Sequence, residues 1–421
     1  MAGSMLFAMA LLHFAHAFNA AIPAYLSGLY AWLVLISLFA KLPAKQFIQF
    51  YALAGIGVIL LGWAISRGGS LSGAEFFTQN NALIVMLYGV SFLRLSAIPN
   101  TVTTTQQQQG WGSFLGNFFG IQVIGAVINL SVLVLVGEYF KSHHLLNRPH
   151  ITMMSRAFAI AAFWSPFFAS MGVALTYAKG ANLLGILSFG VVLALIAVIV
   201  SLVEFKYFNK FDLQTFQGYP LKLNSLALPV VLAMTIIVLH HLIPSLPILT
   251  LVALIAIVLS TLLLIIKRRP VSKNLAEHIR AAPLRMAREL SLFLGAGVLT
   301  LGLQALLSTF PDVSLFKQFT GLEASICLGV AIIVGLVGVH PLISIALIGP
   351  MATPLVADIN ILGMLFLSIW SLGVVATPLS GMNVMMRGQL GIKGQDLFHW
   401  HIGYVVTMWG ILSVLFIIGL K

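Results

Sequence analysis

The chain has very little acid. Only 10 of its 421 residues are Asp or Glu, against 22 Lys and Arg, and charged residues make up 8% of the whole. Soluble domains carry about 25%, so this chain has too few charges to cover a water-facing surface, and a soluble globular protein is excluded. One cysteine, Cys327, excludes an internal disulfide and a cysteine-based metal cluster. There is no Walker-type phosphate loop, no HExxH and no G-x-S-x-G frame, which excludes the chemistry those motifs carry. The histidines are too scattered for a metal set, and no enzyme activity is expected. All ten acids, from Glu75 to Asp396, fall in predicted loops or near the ends of predicted spans. That placement argues against a carboxylate proton relay inside a membrane.

What is present is apolar. Hydrophobic residues make up 60% and the mean hydropathy is +1.05, the signature of an integral membrane protein. A formal charge of +12 would suggest nucleic acid in a soluble chain. Here the basic residues cluster in short loops, as the positive-inside rule expects, so the partner is the lipid bilayer and no nucleic-acid partner is expected. The N-terminal stretch lacks a basic region and a cleavage site, and reads as a retained span.

Apolar runs predict eleven transmembrane helices near residues 4–20, 23–40, 47–66, 82–98, 153–178, 183–203, 225–243, 247–266, 287–307, 360–389 and 398–419. Two segments remain, about 113–138 and 320–356. Each has Gly at its centre and arms of about 12 to 17 residues, too short to cross about 30 Å of hydrocarbon, so each predicts a re-entrant hairpin. The His340-Pro341 dipeptide strengthens this in the second segment. The loop 267–289 holds seven Lys and Arg and is expected on the cytoplasmic side. Counting outward from it puts the N-terminus inside and the C-terminus outside, in a cell inner (plasma) membrane. The fold expected is thus all-α and polytopic. It has an extra N-terminal span (1–22) followed by two inverted-topology repeats (23–210 and 222–421), each with a hairpin and a broken helix (153–178 and 360–389). The polar run Thr103–Gln109 is expected to be a connector before the first hairpin.

The broken helices carry the chemistry. AFWSPFFASMGVAL (162–175) and WSLGVVATPLSGMNVMM (370–386) place Ser, Pro, Thr, Gly and Asn at mid-membrane depth. Such breaks persist only where protein or a water-filled cavity satisfies the freed backbone groups. Paired breaks in two halves point to a transporter binding site. At an offset of 213, Gly125 aligns with Gly338 and Ser131 with Ser344. The expected substrate-binding residues are Asn129 and Ser131 at the first tip, Ser165 and Ser170 at the first break, His340 and Ser344 at the second tip, and Thr377, Ser380 and Asn383 at the second break. Half-helix N-termini there carry roughly +0.5 of an elementary charge and suit an anion, while unwound carbonyls suit a cation. His340 is the leading intramembrane titratable candidate. Arg94 is read as snorkelling to the surface, and His13 and His16 are given no role.

An extra span, two inverted halves, a hairpin in each and a broken helix after each hairpin together resemble the ion transporter superfamily. That group includes divalent anion/sodium symporters, citrate and C4-dicarboxylate carriers and arsenite permeases. The resemblance implies an elevator-type homodimer with no cofactor beyond a coupling ion. A coupling Na⁺ would sit near Gly125, Asn129, Thr377 and Asn383. The Ser-Asn-Thr triplets of the sodium-coupled anion branch are missing, so the resemblance leaves the branch, the coupling ion and the cargo open. The expected function is Na⁺- or H⁺-coupled secondary transport of a small organic or inorganic anion such as a carboxylate. The alternatives are an efflux permease for a toxic oxyanion or metabolite and, from other classes, a non-transporting membrane subunit or an intramembrane enzyme.

Overall fold

The computed structural model describes residues 1–96, 109–220, 227–310 and 315–420, and the connector expected at 103–109 lies outside them except for Gln109. Twenty α-helices follow one another. The first ten are α1 (Ala2–Phe18), α2 (Ala24–Phe39), α3 (Ile48–Ser66), α4 (Gly73–Thr78), α5 (Asn81–Ser91), α6 (Leu93–Ser96), α7 (Gly110–Ile128), α8 (Ser131–Ser142), α9 (Arg148–Trp164) and α10 (Ala169–Tyr177). The remainder are α11 (Leu183–Val203), α12 (Ala227–Leu242), α13 (Ile248–Ile266), α14 (Val271–Arg285), α15 (Ala287–Thr309), α16 (Gly321–Leu336), α17 (Pro341–Ala352), α18 (Ile359–Ala376), α19 (Gly381–Leu390) and α20 (Gly394–Gly419).

The protein is an all-helical, multi-pass membrane protein. A helix stands at each of the eleven expected spans. Among the described residues, nine stretches are long and apolar enough to cross a bilayer, counting each broken helix as one. Eight of them are expected spans and the ninth is α7; α1, α2 and α12, at 16 or 17 residues, fall just under the usual length.

Two expectations need correction. The basic segment 267–289 is mostly helix, not open loop: α14 buries His278, Ala282 and Pro283 on one side and turns Lys273 and Arg280 outward. Apolar and basic residues on opposite faces make an interfacial helix. The first hairpin is also longer than expected. Its arms are α7, at 19 residues, and α8, at 12. The outer end of α7 is clamped to the segment before residue 220. The Asn117 side chain accepts from Tyr219 N (2.8 Å) and donates to Tyr219 O (3.1 Å), and Gly110 N donates to Phe216 O. The 12-residue arms α8 and α17 rise only about 18 Å each, too little to cross.

The helices cluster into two compact units. Unit 1 comprises Met1–Ser96, Leu232–Lys317 and Ala346–Pro354. Within it α3 and α15 meet backbone to backbone. A Cβ at Gly57 would lie 2.6 Å from Leu299 N, and one at Gly302 would overlap the Gly57 carbonyl. Only glycine permits that approach, the usual small-residue device of membrane helices. Also in unit 1, His278 Nε2 meets Ser91 Oγ at 2.8 Å. Burial, reinforced by Arg285 and Arg94, pushes its pKa down to about 4.

Unit 2 comprises Ala97–Val231, Gln318–Ile345 and Leu355–Lys421. It holds the first hairpin, the tip of the second, and both broken helices. The sequence explains the ends of these helices. Asn147 caps α9 by accepting from His150 N, with Pro149 in the first turn. Thr320 and Glu323 form a capping box at α16, and Asp358 caps α18.

Candidate functional site

Each break begins where proline follows the last residue able to close a helical bond. In the first, α9 ends at Trp164, residues 165–168 are extended or turned, and α10 starts at Ala169. In the second, α18 ends at Ala376, residues 377–380 form the gap, and α19 starts at Gly381.

The first break is closed by hydroxyls. Ser165 Oγ donates to Ala126 O of the hairpin arm α7 (2.7 Å) and accepts from Phe167 N (3.2 Å). Ser170 Oγ reaches back across the gap to Ala162 O (2.6 Å). Both serines are fully buried.

An amide closes the second break. Asn383, buried, donates Nδ2 to Val375 O (3.1 Å) and Thr377 O (2.9 Å), stopping the free carbonyl end of α18. Carbonyls only accept, which fixes the amide orientation. Asn383 Oδ1 is then left buried without a hydrogen-bond partner. Ser380 caps α19 by accepting from Asn383 N (3.1 Å), and Thr377 Oγ1 accepts from Leu379 N. Thr377, Ser380 and Asn383 are therefore one hydrogen-bonded network at the break.

The tips meet the second break. Asn129 forms the first tip at φ 54°, ψ −140°, a conformation costly for a non-glycine residue, and its Oδ1 accepts from Leu130 N (2.8 Å). A Cβ on Gly381 would stand 3.2 Å from the Leu130 side chain. The second tip contains the left-handed Gly338, whose neighbour across the gap is Leu379. His340 Nδ1 accepts from Leu342 N (3.2 Å), and its ring meets Trp370 edge-on at 5.3 Å. Pro341 packs on Gly373 of α18.

The residue pairing of the tips differs from the glycine alignment. The tip residues of positive φ are Asn129 and Gly338, whereas Gly125 lies inside α7 and its carbonyl accepts the Asn129 amide. Asparagine tolerates positive φ better than other side-chain-bearing residues, so Asn129, one of the expected tip residues, takes the place that glycine holds in the second tip. Ser131 and Ser344 are half-buried, in the first turns of α8 and α17.

One buried polar group was missed. Arg156 on α9 is fully buried, its guanidinium between the rings of Phe205 (4.9 Å) and Tyr404 (4.6 Å). Its Nη2 contacts Glu204 Oε1 at 2.8 Å and donates to Trp400 O at 3.1 Å. This is the one ion pair found among the described residues. Glu204 is thus more than a loop acid at a span end, and His401 is buried close by. The signal was in the sequence: Arg156 is a lone charge inside TMMSRAFAIAAFW, and such residues are functional or structural suspects by default. Among the described residues, no cluster of three or more His, Cys, Asp or Glu could hold a metal ion.

No family model matches the chain, and no curated protein matches it. Among solved structures, the crystal structure of the Alcanivorax borkumensis YdaH transporter, reported to have an unusual topology, is similar with a TM-score of 0.58 at 14% sequence identity. The match covers 88% of this chain and 98% of that one. At that identity the likeness is one of fold, and it extends over nearly the whole of both proteins.

Proposed function

We propose that the protein is a secondary active transporter of a small organic or inorganic anion such as a carboxylate, coupled to Na⁺ or H⁺. One observation carries this reading: the two breaks and the two hairpin tips belong to one compact unit, with polar side chains buried where the helices stop. Helices α8, α10, α17 and α19 begin at these interruptions, and the first amides of a helix have no partner within it. They offer an anion fixed partial positive charge at membrane depth. The buried acceptor Asn383 Oδ1 and the buried donor Gln122 Nε2 have bonding capacity to spare. The fold shared with a protein described as a transporter supports the same reading.

In this reading Asn129, Ser131, Ser165, Ser170, His340, Ser344, Thr377, Ser380 and Asn383 line the path. A coupling Na⁺ would be held at the unwound carbonyls near Thr377 and Asn383. The two inverted repeats, 23–210 and 222–421, would act in an elevator-type homodimer of the inner membrane, with unit 2 as the carrier.

Proteoliposome uptake under imposed Na⁺ or pH gradients, across a panel of carboxylates, sulfonates and oxyanions, tests the proposal. Uptake of at least one anion under one gradient is expected; no movement of any anion under either gradient overturns it. His340→Ala and Asn383→Ala should each impair uptake in protein that still folds.

A further inference from the structure

Away from the breaks, in unit 1, a cavity of about 350 Å³ opens between the start of α1, the end of α2 and the interfacial helix α14. Two exposed cations, Lys41 and Arg280, stand in its wall beside Leu38, Pro283 and Leu284. Leu284 is itself exposed at 55%, so the apolar side of the cavity faces outward as well as inward. Helix α14 cannot drift from this position: His278 is held by Ser91 Oγ and packs on the Phe92 ring at 4.4 Å. The segment 267–289 that contains α14 also carries Lys267, Arg268, Arg269, Lys273, Arg285 and Arg288. The only acid in α14 is Glu277.

We propose that this cavity binds the headgroup of an anionic phospholipid, with Lys41 and Arg280 contacting the phosphate and an acyl chain running along Leu284. Three features point to a lipid over a soluble anion. The cationic wall adjoins an exposed leucine, the helix carrying it is amphipathic and lies between two spans, and basic clusters in that setting recognise anionic lipid headgroups. Lys41 and Arg280 supply the charge complement, and the pinned α14 supplies a preformed wall.

Native mass spectrometry of the full-length protein, titrated with phosphatidylglycerol or phosphatidylcholine, tests this without any transport readout. One phosphatidylglycerol should bind more tightly than phosphatidylcholine. The double variant Lys41→Gln/Arg280→Gln should weaken phosphatidylglycerol about thirtyfold, about fivefold for each basic group near the surface, and leave phosphatidylcholine unchanged. Each single variant should show its own fivefold share, which covers the case of a double variant that does not fold. Lys273→Gln, on the same helix but outside the cavity, should bind as wild type does. Equal binding of the two lipids, an unchanged Lys41→Gln/Arg280→Gln variant, or an equal loss in Lys273→Gln would each overturn the site. Glycerol 3-phosphate displacing the lipid at equal concentration would make the occupant a soluble phosphate ester and overturn the lipid assignment.

Discussion

The two helix breaks solve one problem in two ways. At the first, serine hydroxyls take up carbonyls of α7 and α9, so the gap is stitched to its own hairpin and to the preceding turn. At the second, a single amide closes the carbonyl end of α18 and leaves its oxygen buried and unpaired. A hydroxyl both donates and accepts and can be used up locally. An amide that spends its N–H groups on carbonyls keeps an acceptor for something else. Under the proposed function both breaks line the path, and the second, with its spare acceptor, is the less self-satisfied of the two.

The helices leading into the breaks differ as well, and the largest expected effect lies there. α9 holds the buried Arg156, whereas α18 has no charge. Arg156→Met strands Glu204 without its partner and should cost about 3 kcal/mol, read as a lower melting temperature by tryptophan fluorescence in detergent. Adding Glu204→Gln should recover part of the loss. A single variant that melts like wild type would show that the first break needs no ionic anchor.

Any comparison of the breaks across pH must allow for unit 1. The unfolded chain protonates His278 near 6.5 and the folded one only near 4, so between those values the unfolded state holds more protons. Stability should be full above pH 6.5 and fall as the pH drops toward 4, by about 3 kcal/mol at most. His278→Gln should flatten that profile in pH-dependent thermal melts.

Asn383→Ala comes next. It takes the side-chain donor from Val375 O, while Thr377 O keeps Ser380 N, with a cost of about 1–3 kcal/mol, and uptake should fall at least about tenfold, one decade in rate for about 1.4 kcal/mol. The matched change at the other break, Ser165→Ala, loses one hydrogen bond to Ala126 O and should cost about 1 kcal/mol with uptake largely kept. Equal transport losses in the two variants would erase this difference between the breaks.

Much of this was legible in the sequence because proline and small polar residues in a long apolar run have few explanations. Ser165-Pro166 and Thr377-Pro378 marked both gaps, and the central glycines and short arms pointed to both hairpins, although α7 is long enough to cross. What escaped had weaker signatures. The glycine alignment paired Gly125 with Gly338, although the residue that turns the first tip is Asn129, already among the expected tip residues. α14 read as a basic loop because its charges drew attention away from the i, i+4 pair His278 and Ala282 that it buries. Arg156 was passed over because its partners, Glu204 and the Trp400 carbonyl, come from positions far along the chain. Which carbonyls Asn383 would stop, and that its oxygen would be left over, required the coordinates.

The glycine contact between α3 and α15 has a consequence for biogenesis. Gly302 leaves the ribosome roughly 240 residues after Gly57, a delay on the order of tens of seconds at typical synthesis rates. During that time α3 must rest in the bilayer as an orphan helix, its notched face against lipid. Glycine suits such waiting, since a bare backbone groove exposes no side chain needing a mate, and acyl chains can fill it until α15 displaces them. The frame of unit 1 is therefore completed late, by the second half of the chain closing on a partner inserted long before.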